Sequence, residues 1–210
     1  MGCRESMSTL AILGVLILGY VLGSIPVGLL AARWITGTDP RKAGSRNIGF
    51  TNVLRVAGNS AGALTLLGDM GKGVAAVLAG RLFLGAGAED WILAAGGLAI
   101  LGHVFSIFLR FSGGKGVATA FGVFLALDPI LGGGVILIWL ISLALWRTSS
   151  LAAIIAFASL PGMTWIRHPE PVMVCFALGV TALIYYRHTE NIHRLIKGGE
   201  PKFGMGQKAK

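Results

Sequence analysis

Long apolar runs broken by short polar connections predict helices rather than strands. Thr9 to Trp34, Ser60 to Leu84, Trp91 to Leu109 and, at the short end, Val172 to Tyr186 approach or exceed the length needed to cross a bilayer as a helix, about 20 residues. Three further runs are shorter or interrupted: Val117 to Leu127, Ile130 to Trp146 after Asp128-Pro129, and Leu151 to Ile166, where Pro161-Gly162 predicts a kink. Counting all of them gives an all-α polytopic membrane bundle of seven transmembrane helices, with five as the fallback. The first run is too long for a signal-peptide core and lacks a small-residue cleavage site, so it is expected to stay as a span.

Sidedness supports seven, because cytoplasmic segments are enriched in Lys and Arg. With the N-terminus outside and the C-terminus cytoplasmic, Arg33, Arg41, Lys42, Arg46, Arg55, Arg110, Lys115, Arg147, Arg187, Arg194, Lys197, Lys202, Lys208 and Lys210 fall on the cytoplasmic side. Only Arg4, Arg81 and Arg167 fall outside, beside Glu89, Asp90, Asp128 and Glu170, while Lys72 sits within a span. The chain reads as one integral-membrane domain over 1–210, with an extension at 1–8 and a cytoplasmic segment at 187–210.

Composition agrees: 54% apolar residues, 13% charged and a mean hydropathy of +0.75 leave too little polar surface for a cytosolic globule. The net charge of +9 is scattered among apolar runs and makes no single basic face, so no nucleic-acid partner is expected. Cys3 and Cys175 offer neither a disulfide framework nor metal-ligand spacing, and the Met1 to Ser6 match to a myristoylation pattern is read as chance. The Gly19/Gly23 and Gly58/Gly62 spacings suit close helix packing.

Polar residues gather in three segments on the cytoplasmic side. Gly44 to Arg55 sets Ser45, Asn47, Thr51, Asn52 and two arginines among Gly44 and Gly49; it reads either as an anion nest completed by Arg55 or as a polar loop with helix caps. Gly102 to Thr119 contains Gly113-Gly114-Lys115-Gly116 at the entry to an apolar run. Glycine amides, a helix N-terminus and Lys115 there favour phosphate without any metal. It is not a Walker A loop, since Leu109 stands at the required upstream glycine. Arg187 to Glu200 follows the last run; as a helix it would place His188 and Asn191 on one face. Asp69 and Lys72 are expected to neutralise each other inside a span, with Asp69 also able to brace an arginine. His103 is read as a support for the glycine loop and His168 as a plain loop residue.

Together, Gly-Ser-x-Asn-x-Gly-x-Thr-Asn-x-x-Arg, Gly-His…Gly-Gly-Lys-Gly-Val-Ala-Thr and Arg-His-x-Glu-Asn-Ile-x-Arg-Leu-x-x-Gly-x-Glu resemble the bacterial acyl-phosphate:glycerol-3-phosphate acyltransferases, as do Gly23 to Pro26 and Asp69 to Gly73. The resemblance covers about residues 10 to 202. It implies a seven-span inner-membrane enzyme making 1-acyl-glycerol-3-phosphate from a fatty acyl phosphate. It implies essential roles for Ser45 and Arg55, glycerol-3-phosphate binding by Gly113 to Gly116, an important His188–Asn191 pair and a structural Glu200. Asn47, Gly49, Thr51, Asn52 and Thr119 are expected among the binding residues, and Asp69, Lys72 and His103 among the structural ones. Expected partners are fatty acyl phosphate, glycerol-3-phosphate, membrane lipid and the enzyme that forms the acyl phosphate; no cofactor or metal is expected.

The chemistry is compatible. An acyl phosphate is already activated, so positioning and charge neutralisation suffice without an enzyme nucleophile. The His-x-x-x-x-Asp motif of other glycerol-3-phosphate acyltransferases is absent, and a metal-dependent phosphotransferase would need several spaced aspartates. The alternative is a transporter or channel for a phosphorylated solute; broken helices and a midplane charge pair fit it, whereas the absence of an internal repeat and the crowding of polar residues on one face do not.

Overall fold

The computed structural model describes residues 8–203. Cys3, the Met1 to Ser6 pattern, Arg4, Lys208 and Lys210 lie outside them. All seven apolar runs are helical, and no strand occurs among the described residues. The order is α1 (Thr9–Ser24), α2 (Val27–Thr36), α3 (Phe50–Leu84), α4 (Glu89–Val104), a short 3-10 turn (Ile107–Leu109), α5 (Val117–Leu127), α6 (Pro129–Trp146), α7 (Ser149–Arg167), α8 (Pro171–Arg187) and α9 (Thr189–Ile196). Five units are long and apolar enough to cross a membrane; α8 with α9, bent by 62°, makes a sixth. At 11 residues, α5 spans only about 17 Å against a hydrocarbon layer of about 30 Å.

Backbone chemistry explains the breaks. Pro26, which has no N–H to donate, divides the first run into α1 and α2. The second run starts at Phe50 rather than Ser60, because Val53, Ala57 and Ala61 recur every four residues and bury against Ala32 of α2. Gly58, at φ 83°, interrupts this long helix in a conformation that glycine adopts freely. It therefore acts as a break rather than as the expected packing contact. α7 continues through Pro161.

Packing is close where small residues allow it. At Gly23 a Cβ would lie 2.1 Å from the carbonyl oxygen of Ala99, so α1 and α4 touch through their backbones as the Gly19/Gly23 spacing predicts. Phe121 stacks on Phe157 with ring centroids 5.6 Å apart and meets Trp139 edge-on at 5.9 Å, joining α5, α6 and α7. At the far end of α5, Asp128 caps α6 through Ile130 and Leu131 and binds both Arg167 and His168 at 2.7 Å. His168 is thus part of a structural tie and not a plain loop residue. This topology brings the N-termini of α3, α5 and α7 and the C-terminus of α8 to one end of the bundle.

Candidate active site

That end holds a cavity of about 300 Å³. Its wall includes residues from all three polar segments: Ser45, Asn47, Gly49, Thr51, Asn52 and Arg55 from the first, Lys115 and Gly116 from the second, and His188, Asn191, Arg194 and Glu200 from the third. Asp69 and His103 reach it from the bundle interior, and Leu66, Phe121, Trp139 and Ala153 line an apolar portion.

The first segment is organised by one amide. Asn52 accepts from the Ser45 N–H at 2.8 Å and donates to the carbonyls of Pro40, Ala43 and Asn47. Its side chain is buried and its amide is committed to the loop, where it borders the cavity. Asn47 in turn accepts the Gly49 N–H at 2.8 Å. The Ser45 and Gly49 amides are thus occupied within the loop and are not free for an anion, while Gly44, Gly49, Phe50 and Thr51 still border the cavity. Thr51 shares a 2.8 Å hydroxyl contact with Ser149. Arg55 is half-buried and has no ion-pair or hydrogen-bond partner among the described residues.

The glycine loop also differs from a simple nest. Gly113 and Gly114 donate inward to the carbonyls of Val104 and His103, each at 3.0 Å, and their own carbonyls accept from Arg187 at 3.3 Å. Both residues therefore shape the loop from behind the cavity wall, and Thr119 is buried away from it. Gly116, at φ 85°, turns the chain into α5. The groups left for an anion are Lys115 and the first amides of α5, where Val117 and Ala118 line the cavity.

Lys115 donates to Asn191, Asn191 donates to Glu200 at 2.5 Å, and Glu200 also accepts from Ser150 and Arg194 at 2.7 Å. Burial raises the Glu200 carboxyl, but the hydrogen bonds from Ser150, Asn191 and Arg194 outweigh it and hold the group below its usual range. Burial pulls the Lys115 ammonium down to about 8, opposed by the Glu200 charge. His188 faces the carbonyl of Ile184 through Nδ1 at 2.8 Å. A carbonyl can only accept, so the proton sits on Nδ1 and Nε2 carries the lone pair. Burial and the Lys115 charge push this imidazole down to about 4, leaving it neutral near pH 7.

The family model for glycerol-3-phosphate acyltransferase matches residues 13–198. This chain belongs to that family. It is similar to the glycerol-3-phosphate acyltransferases of Geotalea daltonii, 45% identical over 191 residues (90% of this chain and 96% of the relative), and Caulobacter vibrioides, 48% identical over 200 residues (94% and 90%). The crystal structure of PlsY, an integral membrane glycerol 3-phosphate acyltransferase, in its glycerol 3-phosphate form superposes with a TM-score of 0.86 at 37% identity, covering 92% of this chain and 96% of that one. Its lysophosphatidic acid form gives 0.84 at the same identity. The protein is thus an integral membrane acyltransferase, and the transport alternative falls away.

Ser149 and Ser150 are wall residues not anticipated from the sequence. The hydroxyl run Thr148-Ser149-Ser150 opening α7 is their signal, but between two apolar runs it reads as a short connection.

Proposed function

We propose that the protein transfers a fatty acyl group from acyl phosphate to the 1-hydroxyl of sn-glycerol-3-phosphate, giving 1-acyl-glycerol-3-phosphate and phosphate. It does so in the bacterial plasma membrane, on the cytoplasmic face, where the excess of Lys and Arg supports the orientation. The observation that carries this reading is the convergence of Arg55, Lys115 and the α5 N-terminus on one cavity that is apolar on its other side. Two phosphates are held at the polar end and the acyl chain leaves along Leu66, Phe121 and Trp139.

In the reaction the hydroxyl oxygen attacks the carbonyl carbon of the mixed anhydride. A carbon–oxygen bond to glycerol forms as the one to phosphate breaks, the electron pair leaves with phosphate, and the hydroxyl proton ends on the departing phosphate. Arg55 and Lys115 offset the charge of the two phosphates, with Ser45 and Thr51 as neutral donors. His188 Nε2 accepts from the glycerol hydroxyl and orients it, while Asn191 aims Lys115. No covalent acyl-enzyme is required.

Purified protein in lipid vesicles, given glycerol-3-phosphate with either palmitoyl phosphate or palmitoyl-CoA, is expected to turn over with palmitoyl phosphate alone. Turnover with palmitoyl-CoA alone would overturn the donor assignment. His188→Gln is expected to weaken glycerol-3-phosphate binding together with turnover. Inactivity with normal binding would instead make His188 the base.

A further inference from the structure

The buried charges of the bundle reach the lysine loop through one histidine. Asp69 and Lys72, on successive turns of α3, pair at 2.9 Å with side chains 3% and 5% exposed. Lys72 also donates at 3.0 Å to the carbonyl of Ile25, at the break between α1 and α2. The same oxygen of Asp69 faces Nδ1 of His103, on α4, at 3.5 Å. The opposite edge of the His103 ring backs Gly114, where a Cβ would sit 2.1 Å from Nε2, and the His103 carbonyl holds the Gly114 N–H. From the other side, Arg187 holds the carbonyls of Gly113 and Gly114. The loop is clamped between α4 and α8, and only Lys115, Gly116 and the first turn of α5 face the cavity.

We propose that Asp69, Lys72 and His103 form a positioning unit that fixes the height and direction of the lysine loop. The unit thereby sets the affinity for the phosphate that Lys115 holds. The inference rests on the acyltransferase reading above, in which that phosphate belongs to glycerol-3-phosphate. A buried ion pair contributes little to net stability once its desolvation is counted, so stability alone does not account for a pair at this position. Its geometry does: the pair ties α3 to the α1/α2 break and presents a fixed carboxylate to His103. Nδ1 of the buried His103 has no hydrogen-bond partner among the described residues, so its ring is held by the nearby Asp69 charge on one edge and by close packing on Gly114 at the other, which gives Gly114 one seat. Although Asp69 and His103 reach the cavity from the bundle interior, their contacts run to Lys72 and to Gly114, so in this proposal they act through the loop as positioning residues, in contrast to Lys115.

The test is steady-state kinetics in lipid vesicles of His103→Gln, Asp69→Asn, Lys115→Ala and the double variant of His103→Gln with Lys115→Ala. For His103→Gln and Asp69→Asn, KM for glycerol-3-phosphate is expected to rise about tenfold, short of the loss of order hundredfold that a 1 Å misplacement can cause. The turnover number and KM for palmitoyl phosphate should stay within about twofold. The double variant should be no worse than Lys115→Ala alone, since a misplaced loop without its lysine loses nothing more. Unchanged KM for glycerol-3-phosphate, or effects that simply add in the double variant, would overturn the proposal. If Lys115→Ala itself turns over normally, the phosphate-loop reading fails first, and this is seen independently of His103. Amide exchange separates positioning from folding: residues 112–117 should exchange faster in His103→Gln while α4 and α5 keep their protection. General loss of protection in both single variants would make the cluster a folding element and contradict the proposal.

Discussion

Lys115 and His188 lie on the same cavity wall, and burial pushes both towards their neutral forms with opposite consequences. For Lys115, lowered to about 8, the charged form that the proposed function assigns to phosphate is present below that pH and lost above it. The expected outcome is a fall in kcat/KM for glycerol-3-phosphate above pH 8, approaching tenfold per unit. Lys115→Arg keeps its charge throughout and should abolish that alkaline limb even where its overall rate is lower. For His188, lowered to about 4, the imidazole is neutral well before neutral pH, so it contributes no acid limb above pH 5. An acid limb near pH 6 would belong to the substrate phosphates, whose second pKa is about 6, and would survive in His188→Gln. A measured pH profile of the three proteins checks all of this. These residues were legible as chemistry because Gly-Gly-Lys-Gly is unusual between apolar runs and the His188/Asn191 spacing is unusual directly after one. Which amides were free was not legible: Asn52 and Asn47 take those of Ser45 and Gly49, and the carbonyls of His103 and Val104 take those of Gly114 and Gly113, through loop folding that the sequence pattern does not display.

Among the elements, hydropathy located every apolar run but not where the helices ended. Phe50 to Asn59 is helical although too polar to read as part of a span, because its buried face of Val53 and Ala57 needs α2 as a partner. The short α5 makes the opposite point, since its N-terminus is placed by Gly116 and its far end is fixed by Asp128. Asp128→Ala removes the α6 cap, which costs about 1 kcal/mol, and with it the tie to the half-exposed Arg167 and His168. The expected result is a Tm lowered by a few degrees with kcat unchanged, because the tie lies at the end of the bundle away from the cavity. The Asp128 carboxyl is held below its ordinary value by Arg167 and His168 against the opposing effect of burial. Its stabilisation is therefore complete above the ordinary aspartate range and is lost as pH falls; the difference in Tm between wild type and variant should shrink in acid.

For the whole molecule, the charge count already brought three distant segments to one side, and the bundle folds them into one cavity. What sequence did not disclose is how the chain closes it. After α9 the chain returns across the site: Glu200 binds Ser150, Asn191 and Arg194, the Phe203 N–H meets the Arg147 carbonyl at 2.5 Å, and the Phe203 ring lies 6.0 Å from that of Phe50. Glu200→Ala should therefore free Asn191 and, through it, Lys115. We expect KM for glycerol-3-phosphate to rise and Tm to fall together, measured on the same vesicle preparation. At this scale the proposed reaction imposes one requirement that no single residue does: two anionic substrates must share the cavity for the acyl group to pass directly between them. The most direct measurement is single turnover with carbonyl-labelled palmitoyl phosphate and no acceptor, quenched in acid. The prediction is no label on the protein and no burst of phosphate until glycerol-3-phosphate is added, when both products appear together. A stoichiometric acyl-protein adduct formed before the acceptor arrives would contradict direct transfer.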